Sequence, residues 1–169
     1  MITNWKDQTV KRRSWALQIY MDSVKEDYLT ILKELQCKIA ISPIHNKDTW
    51  TIEDENANNE HKAGTLKKPH RHIILEFNGS RGLSYIMDII EQINAYKHCQ
   101  IVADKQLMYE YLWHKNNPEK VLYNPNEIIY INSNKYDWLT SEYIDILNYI
   151  DENKTHSLYA LTVNISLYI

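Results

Sequence analysis

Two histidines flank an arginine in the segment 67–75, which reads KKPHRHIIL. The apolar run after the second histidine predicts a β-strand over 69–77. Side chains alternate between the two faces of a strand, so His70 and His72 share one face and Arg71 takes the other. Two imidazoles side by side supply half of the ligands that a metal site needs.

A second pair of ligands follows the preceding predicted strand, 37–44. The segment 42–50 reads SPIHNKDTW and places His45 and Asp48 just past the end of that strand. If this strand pairs with the strand that carries the two other histidines, all four side chains can meet. Three imidazoles and a carboxylate suit Mn²⁺, Zn²⁺ or a similar ion, with open positions for water or a phosphate oxygen. The alternative is a set of exposed histidines in a loop and at a strand edge.

Two other metal chemistries fit the sequence less well. Structural zinc favours closed, cysteine-rich sites, and neither Cys37 nor Cys99 is near the histidines. A metallo-hydrolase of the HxHxDH type needs an aspartate after the second histidine, where Ile73 and Ile74 stand. Two lone thiols without CxxC spacing suit a reducing compartment.

A pair of tyrosines is the candidate nucleophile. The segment 108–120 reads MYEYLWHKNNPEK. On a helix, Tyr109 and Tyr111 lie about 200° apart, so they cannot both face one site. His114 and Lys115 are expected on the face of Tyr111. The alternative is that one tyrosine packs in the core and the other is simply exposed.

The elements that must position these side chains follow from hydrophobic periodicity. Strands are predicted over 14–20, 37–44, 69–77 and 99–104, and helices over 22–36, 83–96 and 105–115. The order β-α-β-β-α-β-α predicts an α+β sandwich of the ferredoxin-like type. The polar stretch 46–66 is predicted as a long connection, and loops of that length are often functional. Further apolar positions at helical spacing predict a short helical extension in the C-terminal tail.

Composition restricts the function only weakly. The chain has 169 residues, which favours one domain with a short appendix. A net charge of −3 does not by itself indicate a nucleic-acid partner, because proteins that bind nucleic acids are usually strongly basic. The basic residues are nevertheless grouped, over 5–13 and around the histidine pair. No apolar signal core and no run of about 20 apolar residues is present, so a cytoplasmic protein without a membrane partner is predicted.

Three segments in order, SPIHNKD, KKPHRHIILEF and MYEYLWHKNNPEK, resemble the successive motifs of plasmid rolling-circle replication initiators within the HUH endonucleases. The phrase YLxHxxNPEK narrows the resemblance to a Rep family common in Gram-positive bacteria. The resemblance covers about residues 12–125 and departs at Asn46, where related proteins often have aspartate. It implies an HUH fold, a central antiparallel sheet flanked by helices. The expected domains are an origin-binding and nicking domain over 1–130 and a helical extension over 131–169. The extension is expected to be the start of an oligomerisation domain.

The resemblance also implies roles for single residues. His45, Asp48, His70 and His72 are expected to hold a divalent ion, Mn²⁺ or Mg²⁺. Tyr111 matches the nucleophile, and the tyrosine two residues before it matches a non-catalytic neighbour. The implied activity is metal-dependent nicking of a plasmid origin through a 5′-phosphotyrosine intermediate, followed by strand transfer.

The implied partner is single-stranded or extruded plasmid origin DNA. No GxxxxGK[ST] sequence is present, so unwinding is expected to come from negative supercoiling or a host helicase, and a host polymerase would extend the free 3′-OH. A homo-oligomer through the C-terminal region is a further expectation. The candidate DNA-binding residues are Lys11, Arg12, Arg13, Lys67, Lys68, Arg71 and Lys115.

Several alternatives remain open at this level. His114 and Lys115 are candidates for phosphate contact or proton handling, or else ordinary polar residues of a helix surface. Trp50 and Trp113 are candidates for stacking on bases. Instead of a replication initiator, the same chemistry would serve an HUH transposase or a conjugative relaxase. A rival of another class is a non-catalytic origin-binding module with a structural metal.

Overall fold

The sheet that carries the predicted site has five antiparallel strands in the order β4-β1-β3-β2-β5. The computed structural model describes residues 10–140, together with 144 and 146. Its strands are β1 (Lys11–Tyr20), β2 (Cys37–Ile41), β3 (His70–Gly82), β4 (Cys99–Ile101) and β5 (Ile129–Ile131). Its helices are α1 (Tyr28–Glu34), α2 (Ile52–Ala57), α3 (Leu83–Ile93) and α4 (Lys105–Tyr111). The predicted α+β fold, an antiparallel sheet flanked by helices, is confirmed.

The predicted pairing of the two site-bearing strands is also confirmed. β3 is the central strand and pairs with β1 on one side and β2 on the other. In this register Tyr20 lies opposite His70, and Ile41 lies opposite Ile73. The pairing continues past the end of β2 as a bridge between His45 and His70. The register therefore brings the two histidine segments side by side.

The two faces of the sheet differ in their apolar side chains. One face carries Trp15, Leu17 and Ile19 of β1 and packs, in one apolar cluster, with the buried stripe of α3. Across the other face, Ala16 and Ala40 flank Ile74 in adjacent strands, and all three are buried. The small side chains of the two alanines leave space above that face of the sheet. His70 and His72, which alternate with Arg71, share this face with Ile74.

Helix α4 covers the face with the small side chains. At its start, Lys105 Nζ lies 3.4 Å from Glu76 of β3. Further along, the hydroxyl oxygens of Tyr109 and Tyr130 of β5 are 2.5 Å apart. The tyrosine helix thus lies above the strands that carry the histidines, as the chemistry requires.

The observed elements differ from the predicted ones where local turns interrupt the periodic pattern. α1 begins at Tyr28 and not at 22, because residues 21–27 form turns. The predicted connection 46–66 contains α2, whose first turn is closed by a capping box between Thr51 and Asp54. β5 has three residues, too few for an alternating pattern. α4 ends at Tyr111, and a series of turns replaces its predicted last turn.

The C-terminal part is a separate unit. Residues up to Asn134 form one compact unit, and those from Lys135 onwards belong to a second. Most of the predicted helical extension lies outside the described residues, so the division at 130 and 131 and the extension stay predictions. Within the described ranges, no helix has the length and the apolar character that crossing a bilayer requires.

Candidate metal and nucleophile site

Three histidine rings from the two paired strand ends lie in contact. The centroid of the His45 ring is 5.3 Å from that of His70 and 5.1 Å from that of His72, and the last two are 5.2 Å apart. Two backbone hydrogen bonds between His45 and His70 hold the segments together. Ligand atoms of the three rings lie within 4.8 Å of one another, close enough to share one ion.

The carboxylate of Asp48 completes the predicted set. Its Oδ2 atom lies 3.5 Å from Nδ1 of His45 and 3.7 Å from Nε2 of His70. Oδ2 is also 3.7 Å from Nε2 of His114, a histidine that is not one of the four predicted ligands. The four predicted ligands therefore converge, and a fourth imidazole joins them. Their role as ligands stays a prediction.

Backbone carbonyls fix the orientation of three of these rings. The contacts are Nε2 of His45 with the carbonyl of Leu112 (2.9 Å), Nδ1 of His70 with that of Lys68 (2.8 Å), and Nδ1 of His114 with that of Val121 (2.9 Å). A nitrogen that faces a carbonyl must carry the proton, which leaves the lone pair on the other ring nitrogen. In all three rings that other nitrogen faces Asp48. Metal-binding histidines are oriented by outer hydrogen bonds of this kind.

Two of the ring nitrogens that carry a lone pair make no hydrogen bond within the described residues. Nδ1 of His45 and Nε2 of His114 are buried without a hydrogen-bond partner. An unpartnered buried polar atom is costly unless something binds it. A set of imidazole nitrogens with one carboxylate matches the ligands that a first-row divalent ion accepts. These residues fit the ion that the resemblance implies.

The electrostatics of the cluster also suit a cation. Burial lowers the pKa of His70 and His114, and lowers that of His72 well below the usual value. Burial raises the pKa of Asp48, but the contacts with His45, His114 and Tyr123 outweigh it, so this pKa lies below its usual range. At neutral pH these three rings are neutral and the carboxylate is charged, which are the protonation states that metal binding requires.

Tyr123 holds Asp48 from outside the cluster. Its hydroxyl donates to Oδ1 of Asp48 at 2.9 Å and accepts from the backbone N–H of Lys47. Its ring stacks on that of His45, with centroids 4.3 Å apart and planes 6° from parallel. Burial and the carboxylate raise the pKa of Tyr123 to about 12. The hydroxyl thus keeps its proton and turns Oδ2 towards the histidines.

His114 reaches the cluster through an unusual backbone conformation. It follows the end of α4 and has a φ of +62°, a region that residues other than glycine seldom adopt. Such strain is found where surrounding structure requires it, often at functional sites. Its ligand atom lies within 4.8 Å of those of His45 and Asp48. The helical pattern predicted over 105–115 runs through His114 and therefore does not predict that its side chain joins the ligands.

Of the two candidate tyrosines, Tyr111 lies beside the cluster. Its ring centroid is 5.2 Å from those of His72 and His114. The hydroxyl accepts a hydrogen bond of 2.8 Å from Nζ of Lys120. Tyr109 is buried, with its hydroxyl against that of Tyr130 in β5. The two tyrosines therefore face different surroundings, as their spacing predicts.

Arg71 supports the site from the opposite face of β3. Its Nη1 atom donates to the carbonyl of Ser42 at 2.5 Å. The hydroxyl of Ser42 in turn accepts from the backbone N–H of His72 and donates to the carbonyl of Pro43. Arg71 therefore braces the end of β2 against the histidine strand.

Most of the other candidate DNA-binding residues have partners within the chain. The ion pairs are Lys67 with Asp54, Lys68 with Asp22 and Lys115 with Glu110, and Arg13 donates to the carbonyl of Phe77. Lys11 and Arg12 are exposed on β1. The role of all these residues in DNA binding stays a prediction.

The two tryptophans proposed to stack on bases are engaged inside the protein. Trp50 stacks on His61 with centroids 3.6 Å apart, and Nζ of Lys67 lies 4.4 Å from its ring centre. Trp113 contacts the ring of Tyr109 edge-on, with centroids 4.9 Å apart. Base stacking would need a free face on either ring, and it stays a prediction.

Comparisons with known proteins give the same family as the motifs. A family model described as plasmid replication protein, origin binding domain, matches residues 7–137. A replication protein of Staphylococcus aureus is 31% identical over 117 residues, which are 69% of this chain and 53% of that protein. Replication protein RepB of Lactiplantibacillus plantarum is 30% identical over 122 residues, 72% of this chain and 50% of that protein.

A longer alignment, with replication protein RepB of Streptococcus agalactiae, is 24% identical over 185 residues and covers 92% of this chain and 83% of that protein. The chain spans about half the length of the first two relatives. The family model covers the sheet, the histidine cluster and the tyrosine helix together. The chain belongs to the family of origin-binding domains of plasmid replication proteins.

Proposed function

We propose that this domain nicks and rejoins single-stranded plasmid origin DNA through a 5′-phosphotyrosine intermediate. The observation that carries the proposal is the position of Tyr111 beside four imidazoles and a carboxylate. A phosphate bound at the cluster would lie next to the phenolic oxygen. Origin binding alone would not require a tyrosine at this point.

The ion is proposed to be held by His45, Asp48, His70 and His72, with His114 as an adjacent fifth ligand. When bound, Mn²⁺ or Mg²⁺ supplies positive charge that polarises the scissile phosphate and neutralises the charge developing on its oxygens. Asp48 contributes the negative charge that attracts the ion, and the neutral imidazoles contribute lone pairs.

Tyr111 forms the covalent bond. Its hydroxyl has a reference pKa near 10, so it is a weak nucleophile at neutral pH without help from its surroundings. In the nicking step the bond from the phenolic oxygen to phosphorus forms, the bond from phosphorus to the 3′ oxygen breaks, and the proton lost by tyrosine ends on the 3′-OH. One phosphodiester replaces another, so no nucleotide cofactor is needed and the step can reverse.

The partners are proposals as well. Single-stranded or extruded origin DNA is the proposed substrate, because an intact duplex would keep the scissile phosphate from a site set between a sheet and a helix. A host helicase, a host polymerase, assembly into a homo-oligomer and a cytoplasmic location remain predictions.

The proposal is tested by incubating the protein with Mn²⁺ and a labelled single-stranded oligonucleotide that carries the plasmid origin. Wild type and Tyr109→Phe are expected to form an adduct that resists SDS, and Tyr111→Phe is expected to form none. An adduct in Tyr111→Phe but not in Tyr109→Phe would move the nucleophile to the other tyrosine. Binding of the oligonucleotide and Mn²⁺ by wild type without any adduct would support the rival function, a non-catalytic origin-binding module.

A further inference from the structure

Lys120 lies nine residues after Tyr111 in the sequence, and its side chain contacts the tyrosine. Nζ of Lys120 donates to the Tyr111 hydroxyl at 2.8 Å and lies 4.6 Å from the centre of its ring. We propose that Lys120 is a positioning residue for the nucleophile, which holds the phenolic oxygen towards the histidine cluster and stabilises the negative charge that develops there. This inference rests on the proposed function.

The turns between α4 and Lys120 account for this contact. The backbone N–H of Asn117 donates to the carbonyl of His114, and that of Lys120 donates to the carbonyl of Asn117. The side chain of Asn117 also donates to Glu119, which closes the turn on itself. Lys120 therefore belongs to a hydrogen-bonded turn that holds its backbone in place.

Two residues that follow Lys120 are anchored to the cluster. The carbonyl of Val121 orients His114, and the hydroxyl of Tyr123 orients Asp48. A lysine between these anchors and the turn has little freedom to move away from Tyr111. The same short segment thus fixes two metal-site residues and the hydroxyl of the nucleophile.

The charge of Lys120 is directed at the phenolic oxygen. Among the described residues, no carboxylate lies within 4 Å of its Nζ, whereas Lys115 of the same segment is paired with Glu110 at 2.8 Å. An ammonium group that donates to an oxygen stabilises that oxygen more strongly as it becomes negative. Lys120 keeps its own protons throughout the nicking step, so the balance of that step is unchanged.

The test compares Lys120→Met and Lys120→Arg with wild type. The rate of adduct formation is measured in a single turnover, with the single-stranded origin oligonucleotide and Mn²⁺ both saturating. We expect Lys120→Met to be about 10- to 100-fold slower, the loss typical of a charged hydrogen bond, and Lys120→Arg to recover most of the rate. The control Lys33→Met removes an exposed lysine of α1 and is expected to react like wild type.

Two binding measurements separate positioning from other roles. The affinities for Mn²⁺ and for the oligonucleotide are expected to change less than about threefold in Lys120→Met, because the interaction is strongest in the transition state. A wild-type rate in Lys120→Met at saturating DNA, or a loss confined to DNA affinity, would overturn the inference. No adduct in wild type would instead refute the proposed function.

A measurement without metal or DNA tests the contact itself. In protein labelled with ¹³C at Cζ of tyrosine, the Tyr111 signal is identified as the one that is missing in Tyr111→Phe. Lys120→Met is expected to shift this signal and to leave that of Tyr109 in place, since the substitution removes a donor from one phenolic oxygen only. An unchanged Tyr111 signal would contradict the inference whatever the state of the nicking activity.

Discussion

At the scale of single residues, the site is organised around Asp48. Its two oxygens have different tasks, because Oδ1 accepts from Tyr123 and Oδ2 faces the histidines. The four predicted ligands follow from local spacing and from one strand pairing. His114, Lys120 and Tyr123 could not be assigned in this way, because their contacts depend on a chain reversal that no periodic pattern marks. The segment 108–120 contains His114 and Lys120, but its pattern predicts a metal ligand at neither position and no contact between Lys120 and Tyr111.

The outer hydrogen bond of Tyr123 should control metal affinity. Tyr123→Phe keeps the ring that stacks on His45 and removes the hydroxyl that holds Asp48. We expect Mn²⁺ affinity to fall about 10- to 100-fold, the usual cost of losing an outer-shell partner. Isothermal titration calorimetry measures it, with Tyr85→Phe, an exposed tyrosine of α3, as the control. Equal affinities in Tyr123→Phe and wild type would show that Asp48 needs no such support.

The buried histidines should make the metal-free protein sensitive to mild acid. Burial lowers the pKa of His70, His72 and His114 from 6.5, so the unfolded chain binds more protons than the folded one as the pH falls below about 6.5. The free energy of unfolding should therefore be highest above that pH and decrease below it. Asp48, whose pKa is also lowered, adds a further decrease only below about 3.8.

Urea unfolding in the presence of a chelator, from about pH 7.5 to about pH 5, measures this dependence. His72→Asn, which removes the most strongly shifted of the three, should show a shallower decrease than wild type. His98→Asn changes an exposed histidine outside the cluster and should keep the wild-type dependence. A free energy of unfolding that rises in acid would refute the assigned direction.

At the scale of elements, the strands that carry the site were predictable and their ends were not. Alternation in β1 and the apolar runs of β2 and β3 are strong local signals. β5 owes its extended conformation to pairing with β2, which is a tertiary contact. The end of α4 depends on the backbone conformation of His114. The sequence alone gives no reason for an arginine between His70 and His72, whereas in the structure Arg71 donates a hydrogen bond to the carbonyl of Ser42.

The junction between β2 and β3 should be sensitive to the loss of one hydroxyl. Ser42 is buried and links the backbone of His72 to the carbonyl of Pro43. We expect Ser42→Ala to lower the free energy of unfolding by about 1–3 kcal/mol, because a buried N–H is left without a partner. Urea unfolding tests it against Ser84→Ala, an exposed serine of α3. A loss no larger than that of the control would mean that water replaces the hydroxyl.

At the scale of the whole molecule, binding of the ion should couple the site to global stability. A ligand that binds only the folded state stabilises it by about 2.7 kcal/mol at 100 times its Kd. For a chain of this size that corresponds to a rise in Tm of roughly 5–10 °C. Differential scanning calorimetry with added Mn²⁺ should show this rise in wild type. His45→Ala should show little of it, and an equal rise in that variant would place the ion elsewhere.

The segment after α4 should also affect how metal binding changes the rates of folding and unfolding. It closes the site through contacts between residues far apart in sequence, with 67 positions separating His45 from Leu112 and 75 separating Asp48 from Tyr123. Contacts of such separation form late, because a large loop must close first. An ion that binds only the finished cluster should therefore leave the refolding rate almost unchanged and slow the unfolding rate. Metal would then prolong the lifetime of the folded domain without making the domain fold faster.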